Sequence, residues 1–385
     1  MDNMRNIVRS IEKTVLEDLN KKIVLVVGPR QVGKTTFSKN ILKTFEYLNY
    51  DSDKDKIQIL KQLWNRDKEL IIFDEVHKMK NWKKWLKGFY DTNSTNQKIL
   101  VTGSARLDIA KKMGDSLAGR HFTFHLFPLD LKELKSINTP QINFDLLMQY
   151  SGFPEPFFEK SKRFHLNWQK SHADLILKQD LVSSENVRDI SSIELLMAML
   201  RSRTASPFSC NAIATDLQKD SKTVKKWMSH LENLFLVFKI MPYSKNIARS
   251  VLKEPKYYFF DYTRIDEDPG AQLENFVALS LKKEVFYLNE VLGIESELFY
   301  LKQKGAKEID FFIKRKGLPP VLIEVKKSDS EISPSFKTFD KFFNESIQIQ
   351  LVQNNVKEYS NKNGVRVMGV VNYLSHFDLS KLRTI

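Results

Sequence analysis

A short glycine-rich loop between an apolar run and a helical pattern constrains the fold of this chain most. The apolar run spans 22–27 and reads KIVLVV, and the loop over 28–36 reads GPRQVGKTT. The loop matches G-x-x-x-x-G-K-[ST], the P-loop pattern that binds nucleotide phosphates. Gly28 and Gly33 permit the tight turn, and the N–H groups of such a turn form an anion-binding nest. The sequence therefore predicts a buried strand, a phosphate-binding loop and a helix over 36–42.

Two polar side chains at the end of the loop indicate how the phosphates are bound. Lys34 brings positive charge to the β- and γ-phosphates, and Thr35 offers its hydroxyl to Mg²⁺. The N-terminal end of the following helix adds positive potential. We therefore expect ATP and Mg²⁺ as cofactors, with Lys34 also in a catalytic role. The predicted nucleotide-binding residues are Gly28, Pro29, Arg30, Gln31, Val32, Gly33, Lys34, Thr35 and Thr36.

A second apolar run ends in two acidic residues. The run over 69–73 reads ELIIF, and Asp74 and Glu75 follow it. A continuous apolar run of this length is typical of a buried parallel strand. At the end of that strand Asp74 would hold the Mg²⁺ shell, and Glu75 would polarise the water that attacks the γ-phosphate. The pattern predicts a Walker B strand.

A third strand and an arginine complete the predicted nucleotide site. The run over 98–104 reads KILVTGS, so Thr102 or Ser104 would lie at a strand end, where neighbouring parallel strands meet a ligand. Ordinary turn chemistry is the alternative. Arg120 precedes a further strand-like run over 121–126. It is either an arginine finger, acting in cis or from a second copy in a homo-oligomer, or a surface residue paired with a carboxylate.

The composition bears on partners and on the cellular compartment. The formal net charge is +14, which favours an acidic partner, most plausibly nucleic acid. Because the lysines are scattered, a generally basic surface is an equal alternative. Cys210 is the only cysteine, so an internal disulfide is impossible and a cysteine-based zinc site is excluded. The apolar runs are too short to span a bilayer, and we expect a soluble, cytoplasmic protein without a membrane partner.

Several short motifs together resemble a prokaryotic family of AAA-type ATPases that join a P-loop domain to a C-terminal domain of uncharacterised function. By this resemblance Ser104 is at the sensor position and Arg120 belongs to a glycine–arginine pair. The resemblance covers nearly the whole chain. The motifs are GPRQVGKTT at 28–36, DEVHK at 74–78, TGS at 102–104, LAGR at 117–120, FPL at 127–129, SGFPEP at 151–156 and KYYFFD at 256–261.

The middle of the chain contains a candidate helix-turn-helix. A short helix over 211–217 and a turn at 219–220 lead to a helix over 222–234, and Ser221 is placed to cap it. The apolar residues of the second helix recur at helical spacing, while Lys222, Lys225 and Lys226 face outward. A strand over 235–240 would form the wing. Such a unit either inserts its basic helix into the DNA major groove or serves in packing and partner binding.

The last third carries two acidic strands joined by a turn. The segment 308–313 reads EIDFFI, and 319–326 reads PPVLIEVK. Strand alternation puts Glu324 and Lys326 on one face, across the hairpin from Asp310. This looks like the PD-(D/E)xK arrangement of restriction-endonuclease-like proteins, and Glu274 matches the acid that such proteins often add from an earlier helix. The acids would bind Mg²⁺ or Mn²⁺, and Lys326 would position the attacking water.

These patterns predict an α/β protein in four parts. The parts are an AAA-type P-loop domain with a parallel sheet and helices on both faces (1–145), a helical connector (146–205), a winged helix (206–262) and a small α/β restriction-endonuclease-like domain (263–385). We predict an ATP-hydrolysing enzyme coupled to a nucleic-acid-binding, nuclease-like module. The alternative is a nucleotide-controlled regulatory or interaction switch whose nuclease fold is inactive. The predicted catalytic residues are Lys34, Glu75, Ser104, Arg120, Asp310, Glu324 and Lys326, and the predicted metal ligands are Thr35, Asp74, Glu274, Asp310 and Glu324.

Overall fold

The computed structural model describes residues 7–383 except 93–95, 104–116, 178–188, 245–252, 266, 304–306, 329–330, 344 and 355–356. Its chain divides into two compact units. The first comprises 1–129, 153–158 and 233–235, and the second comprises 130–152, 159–232 and 236–385. The four-part division expected from the sequence stays a prediction. Within the described ranges, no helix has the length and apolar character needed to cross a membrane.

The first unit is built on a parallel sheet. Along the chain its elements are α1 (Glu12–Leu19), β1 (Ile23–Val27), α2 (Lys34–Asn40), β2 (Phe45–Asn49), α3 (Asp53–Lys61), β3 (Leu70–Asp74), α4 (Trp82–Thr92), β4 (Lys98–Gly103) and β5 (His121–His125). The strands lie in the order β2-β3-β4-β1-β5, and all neighbouring pairs are parallel. The protein is therefore of the α/β class, as the sequence predicts.

The central strands of this sheet are buried because their sequences are almost wholly apolar. Every residue of β1 and β3 is buried, as expected for parallel strands covered on both faces. Around Phe73 the side chains of Trp64, Trp85 and Phe89 pack with ring centroids 5.2–5.9 Å apart, mostly edge to face. This core holds the carboxyl ends of β1, β3 and β4 at one edge of the sheet.

The second unit begins with helices. They are α5 (Pro140–Tyr150), α7 (Lys162–Asp174), α8 (Ile190–Arg201), α9 (Cys210–Asp216) and α10 (Ser221–Asn233). Helix α6 (Pro154–Glu159) comes between α5 and α7 along the chain but lies almost wholly in the first unit. The predicted helix-turn-helix corresponds to α9 and α10. Ser209 caps α9 by accepting a hydrogen bond from the Ala212 N–H, a preferred role for serine. In α10, Val224, Trp227, Met228 and Leu231 are buried as the spacing predicts.

A mixed sheet of eight strands forms the rest of the second unit. Its elements are β6 (Val237–Pro242), β7 (Lys256–Phe259), α11 (Pro269–Glu290), β8 (Ser296–Gln303), β9 (Lys307–Arg315), β10 (Leu318–Ser328), α12 (Ser335–Asp340), β11 (Ile347–Asn354), β12 (Tyr359–Ser360), β13 (Arg366–Gly369) and α13 (Val370–His376). The strand order is β12-β13-β11-β10-β9-β8-β6-β7. The predicted wing strand lies two residues later than expected and joins this larger sheet, because β6 pairs with β8 as well as with β7.

The predicted acidic hairpin is present in this sheet. Strands β9 and β10 pair antiparallel, with Ile323 opposite Phe311, and their central residues are buried. The turn is shorter than expected, since Lys314 and Arg315 still belong to β9. Arg315 is buried and its guanidinium donates to the carbonyls of Pro319 and Leu379, so it stabilises the strand end instead of lying in a solvent-exposed turn.

Candidate functional site

The glycines of the P-loop meet two different backbone requirements. At Gly28 a Cβ atom would lie 2.3 Å from the carbonyl oxygen of Leu126, so a side chain is sterically impossible without a backbone shift. The chain is held there because the Leu126 N–H donates to the Val27 carbonyl over 2.8 Å. Gly33 has a φ of 96° in the left-handed region, which favours glycine. Helix α2 begins at the next residue.

Lys34 lies folded over the loop that precedes it. Its Nζ donates to the carbonyl of Gly28 over 3.0 Å and to that of Pro29 over 2.6 Å. The side chain is buried even though it is charged, which requires such partners. The ammonium therefore lies against the first two residues of the loop that the sequence predicts to bind phosphates.

The carboxylate of Asp74 is held at the mouth of the loop by three hydroxyl groups. Thr102 Oγ1 donates to Asp74 Oδ1 over 2.6 Å. Thr35 Oγ1 and Tyr47 Oη donate to Asp74 Oδ2 over 3.1 and 2.6 Å. This convergence follows from the sheet order, because Asp74 is in register with Asn49 on β2 and with Thr102 on β4. Hydroxyl and carboxylate oxygens are suitable ligands for Mg²⁺, so the donor set at Thr35 and Asp74 fits that ion.

Glu75 leaves the strand in an unusual backbone conformation. Its φ is 58°, a left-handed value that is uncommon outside glycine, asparagine and aspartate. Its Oε2 lies 3.4 Å from Lys78 Nζ and 3.6 Å from His77 Nε2. Burial raises the pKa of the Glu75 carboxyl, opposed by the charges of Lys78, Arg30 and Lys34. The carboxyl is thus near the charged end of the P-loop and has an increased affinity for a proton.

A cavity adjoins the P-loop on the side of helix α2. Its volume is about 260 Å³, which is close to the size range of small-molecule sites. The lining includes Gly33, Thr36 and Phe37 from the loop and helix, together with Ile7 and Pro154. The cavity therefore lies directly beside the loop that the sequence predicts to bind phosphates.

Two predicted residues of the nucleotide site have other outcomes. Ser104 lies outside the described residues. Arg120 precedes β5, whereas the P-loop follows β1, and these parallel strands pair with Ile23 opposite His121. Arg120 therefore lies at the amino ends of the strands, whereas the loop lies at their carboxyl ends, one strand length (~17 Å) away. It donates to both carboxylate oxygens of Asp91 over 2.7 and 3.1 Å, which is the surface pairing and excludes a finger acting in cis.

In the second unit, the predicted acidic residues come together around a lysine that the sequence analysis did not single out. Lys256 Nζ, on β7, lies 3.2 Å from Glu274 Oε1, 2.5 Å from Glu308 Oε1 and 3.9 Å from Asp310 Oδ1. Beside it, Lys326 Nζ donates to Glu324 Oε1 over 2.7 Å. We call Glu274, Glu308, Asp310 and Glu324 the carboxylate cluster.

Burial dominates the protonation behaviour of the carboxylate cluster. Burial and the nearby charge of Asp310 raise the pKa of Glu274 to about 8 and that of Glu324 to about 7. Burial also raises the pKa of Asp310. For Lys256, burial favours the neutral form, but the carboxylates of Glu274, Asp310 and Glu308 outweigh it and raise the pKa. The lysine is accordingly a permanent cation within a group of acids.

This arrangement does not fit the predicted Mg²⁺ or Mn²⁺ site. Of the three proposed ligands, Glu274 and Asp310 face the Lys256 ammonium, and Glu324 is paired with the Lys326 ammonium. Across the described ranges, no group of three or more His, Cys, Asp or Glu side chains is placed to hold a metal ion. Mn²⁺ as a cofactor of this unit therefore has no support.

The basic face of α10 is exposed as the sequence predicts. Lys222, Lys225 and Lys226 lie in solvent, on the side of the helix opposite its buried apolar residues.

Two residues of the sites described above, Tyr47 and Lys256, could not be identified from the sequence patterns. Tyr47 sits on a half-buried strand without a motif. A lysine beginning the apolar run KYYFF was the one available signal, because a charged residue in a buried strand requires a partner.

Comparisons with protein families agree with the division into an ATPase-like part and a less characterised remainder. Residues 20–135 match the family model described as an AAA domain. Residues 141–263 and 269–373 match two models described as domains of unknown function, DUF8612 and DUF4143. The first part of the chain is thus an AAA-type P-loop ATPase domain, followed by two domains whose function is not described.

Similar proteins of several prokaryotes are known only as uncharacterized proteins. One from Methanocaldococcus jannaschii, MJ1544, is 25% identical over 353 residues, covering 80% of this chain and 76% of its own length. One from Mycobacterium tuberculosis, Rv2008c, is 24% identical and covers 82% of this chain and 73% of its own length. One from Haemophilus influenzae is 23% identical, with 76% and 80% covered.

The matches to solved structures are distant. A variant of RuvB from Thermotoga maritima matches with a TM-score of 0.33 and 17% identity, covering 60% of this chain and 90% of that chain. A signal transduction ATPase with numerous domains, PH0952 from Pyrococcus horikoshii, has a tetratricopeptide repeat sensor. It matches with a TM-score of 0.23 and 12% identity, covering 75% and 48%.

Proposed function

We propose that the protein is a Mg²⁺-dependent ATPase that hydrolyses ATP at the P-loop of its first unit. The observation that carries this proposal is the placement of Asp74, whose carboxylate receives hydrogen bonds from Thr35 and Thr102 directly beside the P-loop. These hydroxyls come from the loop and from the neighbouring strand, so two separate elements orient one Mg²⁺-binding carboxylate. The AAA-domain match over 20–135 is consistent with this assignment.

The residues of the site divide the work of hydrolysis between them. The nucleoside extends into the cavity next to Gly33 and Phe37, while the loop N–H groups and the Lys34 ammonium receive the phosphates. Mg²⁺, when bound through Thr35 and Asp74, would neutralise charge on the β- and γ-phosphates. Glu75 orients the attacking water and accepts its proton, and the raised pKa of its buried carboxyl suits it to that task.

The test separates nucleotide binding from hydrolysis. Lys34→Ala removes the cation of the loop, so we expect loss of ATP binding in calorimetry. Glu75→Gln keeps the shape but cannot accept a proton, so binding should persist while hydrolysis falls at least about 100-fold. Glu69→Gln is a matched control at the opposite end of β3, next to Lys98. If Glu75→Gln hydrolyses ATP at the rate of Glu69→Gln, Glu75 has a different role.

A second candidate function is nucleic-acid binding by the second unit, with DNA as the favoured partner. The supporting observation is the exposed lysine face of α10, formed by Lys222, Lys225 and Lys226. Phosphate contacts of this kind make affinity strongly dependent on salt, and each contact contributes about 0.9 to the slope of log K against log salt concentration. The alternative kept from the sequence is a nucleotide-controlled switch that binds a protein.

Fluorescence anisotropy with duplex DNA over a range of salt concentrations distinguishes the two. Replacing the three α10 lysines by glutamate should weaken binding and reduce the salt slope by about 3. A charge-matched control replaces Lys13, Lys54 and Lys61, which are exposed in the first unit, and should change binding much less. Equal losses in both triple variants, or no binding by the wild type, would exclude a DNA-reading helix and favour the switch.

A further inference from the structure

The carboxylate cluster of the second unit contains its own cation. Lys256 is 1% exposed, and its Nζ contacts carboxylates from helix α11 and strand β9, namely Glu274, Glu308 and Asp310. Glu274 and the Glu308–Asp310 pair are separated in sequence from Lys256 and from each other, so only the fold brings helix α11 and strand β9 to this lysine. A buried lysine with three carboxylate neighbours is a compensated charge, not an accidental contact.

The ammonium lies at the point that a metal ion would need. A divalent cation requires several oxygens at ~2.0–2.6 Å around a single position. The oxygens of Glu274, Glu308 and Asp310 instead surround Lys256 Nζ at 2.5–3.9 Å, and the two shorter contacts are near the usual range of ammonium–carboxylate pairs. A metal at that position would meet both the bulk and the charge of the lysine.

Hydrogen-bond donors around the carboxylate cluster further reduce its capacity to bind a metal ion. Tyr258 Oη donates to Glu274 Oε1 over 2.7 Å, and the Val325 N–H donates to Asp310 Oδ2 over 2.8 Å. Glu324 Oε1 receives the Lys326 ammonium. The other oxygen of Glu324 is buried without a hydrogen-bond donor, but it would supply a single ligand where Mg²⁺ requires an octahedron.

Lys256 is also fixed in place by its backbone. It pairs with Ile240 on β6 and forms a bridge with Pro207 on its other side. Its ammonium lies 5.4 Å from the centroid of the Tyr300 ring. Moving the side chain out would remove the ammonium from Glu274 and Asp310 in a largely buried site, which is unfavourable, whereas Glu308 would keep Lys302 at 3.8 Å. The lysine is therefore a structural component and not an exchangeable ligand.

We propose that Lys256 is the resident cation of the carboxylate cluster and replaces a divalent metal there. The second unit then contains a pre-neutralised acidic site that does not support metal-dependent cleavage. This inference concerns the second unit alone and stands whether or not the P-loop hydrolyses ATP.

The experiment measures Mn²⁺ uptake by the full-length chain without nucleotide, using the electron paramagnetic resonance signal of free Mn²⁺. Wild type and Asp310→Asn should take up the same amount of Mn²⁺, because the carboxylate cluster of wild type binds none. Lys256→Met keeps the length of the side chain and removes its charge, so it should bind Mn²⁺ about 100-fold more tightly, a change as large as those produced by altering the surroundings of metal ligands. Adding Asp310→Asn to Lys256→Met should remove the gain.

Two results would overturn the proposal. One is Mn²⁺ binding by the wild type that Asp310→Asn or Glu324→Gln abolishes. The other is a folded Lys256→Met protein, judged by circular dichroism, that binds no more Mn²⁺ than wild type. If Lys256→Met does not fold, the wild-type comparison decides alone, together with plasmid incubation in Mn²⁺. Plasmid cleavage that Asp310→Ala removes would contradict the proposal, and intact plasmid would support it.

Discussion

Replacing Glu324 by glutamine should change how the stability of the second unit depends on pH. The Glu324 side chain is buried on β10, with one oxygen paired to Lys326 and the other without a donor. Burial and the charge of Asp310 raise the pKa of its carboxyl from 4.5 to about 7. Glutamine has nearly the same shape but carries no charge at any pH.

The sign and size of the effect follow from proton linkage. The folded state binds the Glu324 proton more tightly than the unfolded state does. This carboxyl therefore destabilises the folded state least at acidic pH, where it is protonated. Stability is then lost as the pH rises from about 4.5 to about 7. Each pH unit in that window corresponds to ~1.4 kcal/mol, which gives a total loss of about 3 kcal/mol. Glu324→Gln lacks this loss and should gain that amount relative to wild type by about pH 8.

Urea unfolding between about pH 5 and about pH 8 measures the difference. Trp168 and Trp227 lie in the second unit and report on it by fluorescence. Ligand that binds only the folded state raises the unfolding midpoint of the unit that holds it, so the transition that ADP leaves unchanged is assigned to the second unit. The quantity compared is the free energy of unfolding of that transition in wild type and variant.

Glu331→Gln is the matched control, because Glu331 is exposed in the same unit. It should leave the pH dependence as in wild type. The reasoning is refuted if Glu324→Gln and Glu331→Gln show the same dependence on pH. It is also refuted if the stability of Glu324→Gln relative to wild type falls as the pH rises across the window, because the folded carboxyl would then have a lowered pKa.

Three further predictions concern the first unit. Gly28→Ala places a Cβ against the Leu126 carbonyl, so it should cost ~1–3 kcal/mol and abolish ADP binding. A Cβ added at Gly88 meets nothing within 4 Å, so the control Gly88→Ala should leave the melting temperature in scanning fluorimetry unchanged or slightly raised. Tyr47→Phe removes one of three donors to Asp74 and should cost about 1 kcal/mol with Mg²⁺-ADP binding retained in calorimetry; complete loss would make Tyr47 essential. Arg120→Ala should leave the ATPase rate unchanged in dilute protein, whereas a loss confined to concentrated protein would indicate a finger supplied by a neighbouring copy.

The nucleotide site could be predicted from sequence because its parts follow apolar strands. Each of 22–27, 69–73 and 98–104 combines a buried run with polar residues at its end, and parallel strands bring such ends together. Asp74 does lie within hydrogen-bonding distance of Thr35 and Thr102, while their role in binding a nucleotide stays a prediction. Tyr47 was missed because its contact depends on β2 lying next to β3, and strand order is not written in any local pattern.

The second unit was predictable as a hairpin but not as a site. Alternation correctly paired the strand of Asp310 with that of Glu324, and the helix carrying Glu274 is present as α11. Whether these acids face a metal or a side chain depends on a strand distant in sequence. Lys256 comes from β7, which the sequence analysis assigned to a winged helix, and only the joining of β6 to β8 brings it beside the acids.

The strand order of the eight-stranded sheet has a consequence for how the protein is made. Read from one edge, the order β7-β6-β8-β9-β10-β11-β13-β12 nearly follows the chain. As the polypeptide leaves the ribosome, each strand from β8 to β11 can dock onto the free edge left by its predecessors, and these segments need not search for each other. Sheets of high contact order fold slowly when their strands meet at random. Vectorial synthesis would let this one grow outward from the pair of β6 and β7, with β12 and β13 added last.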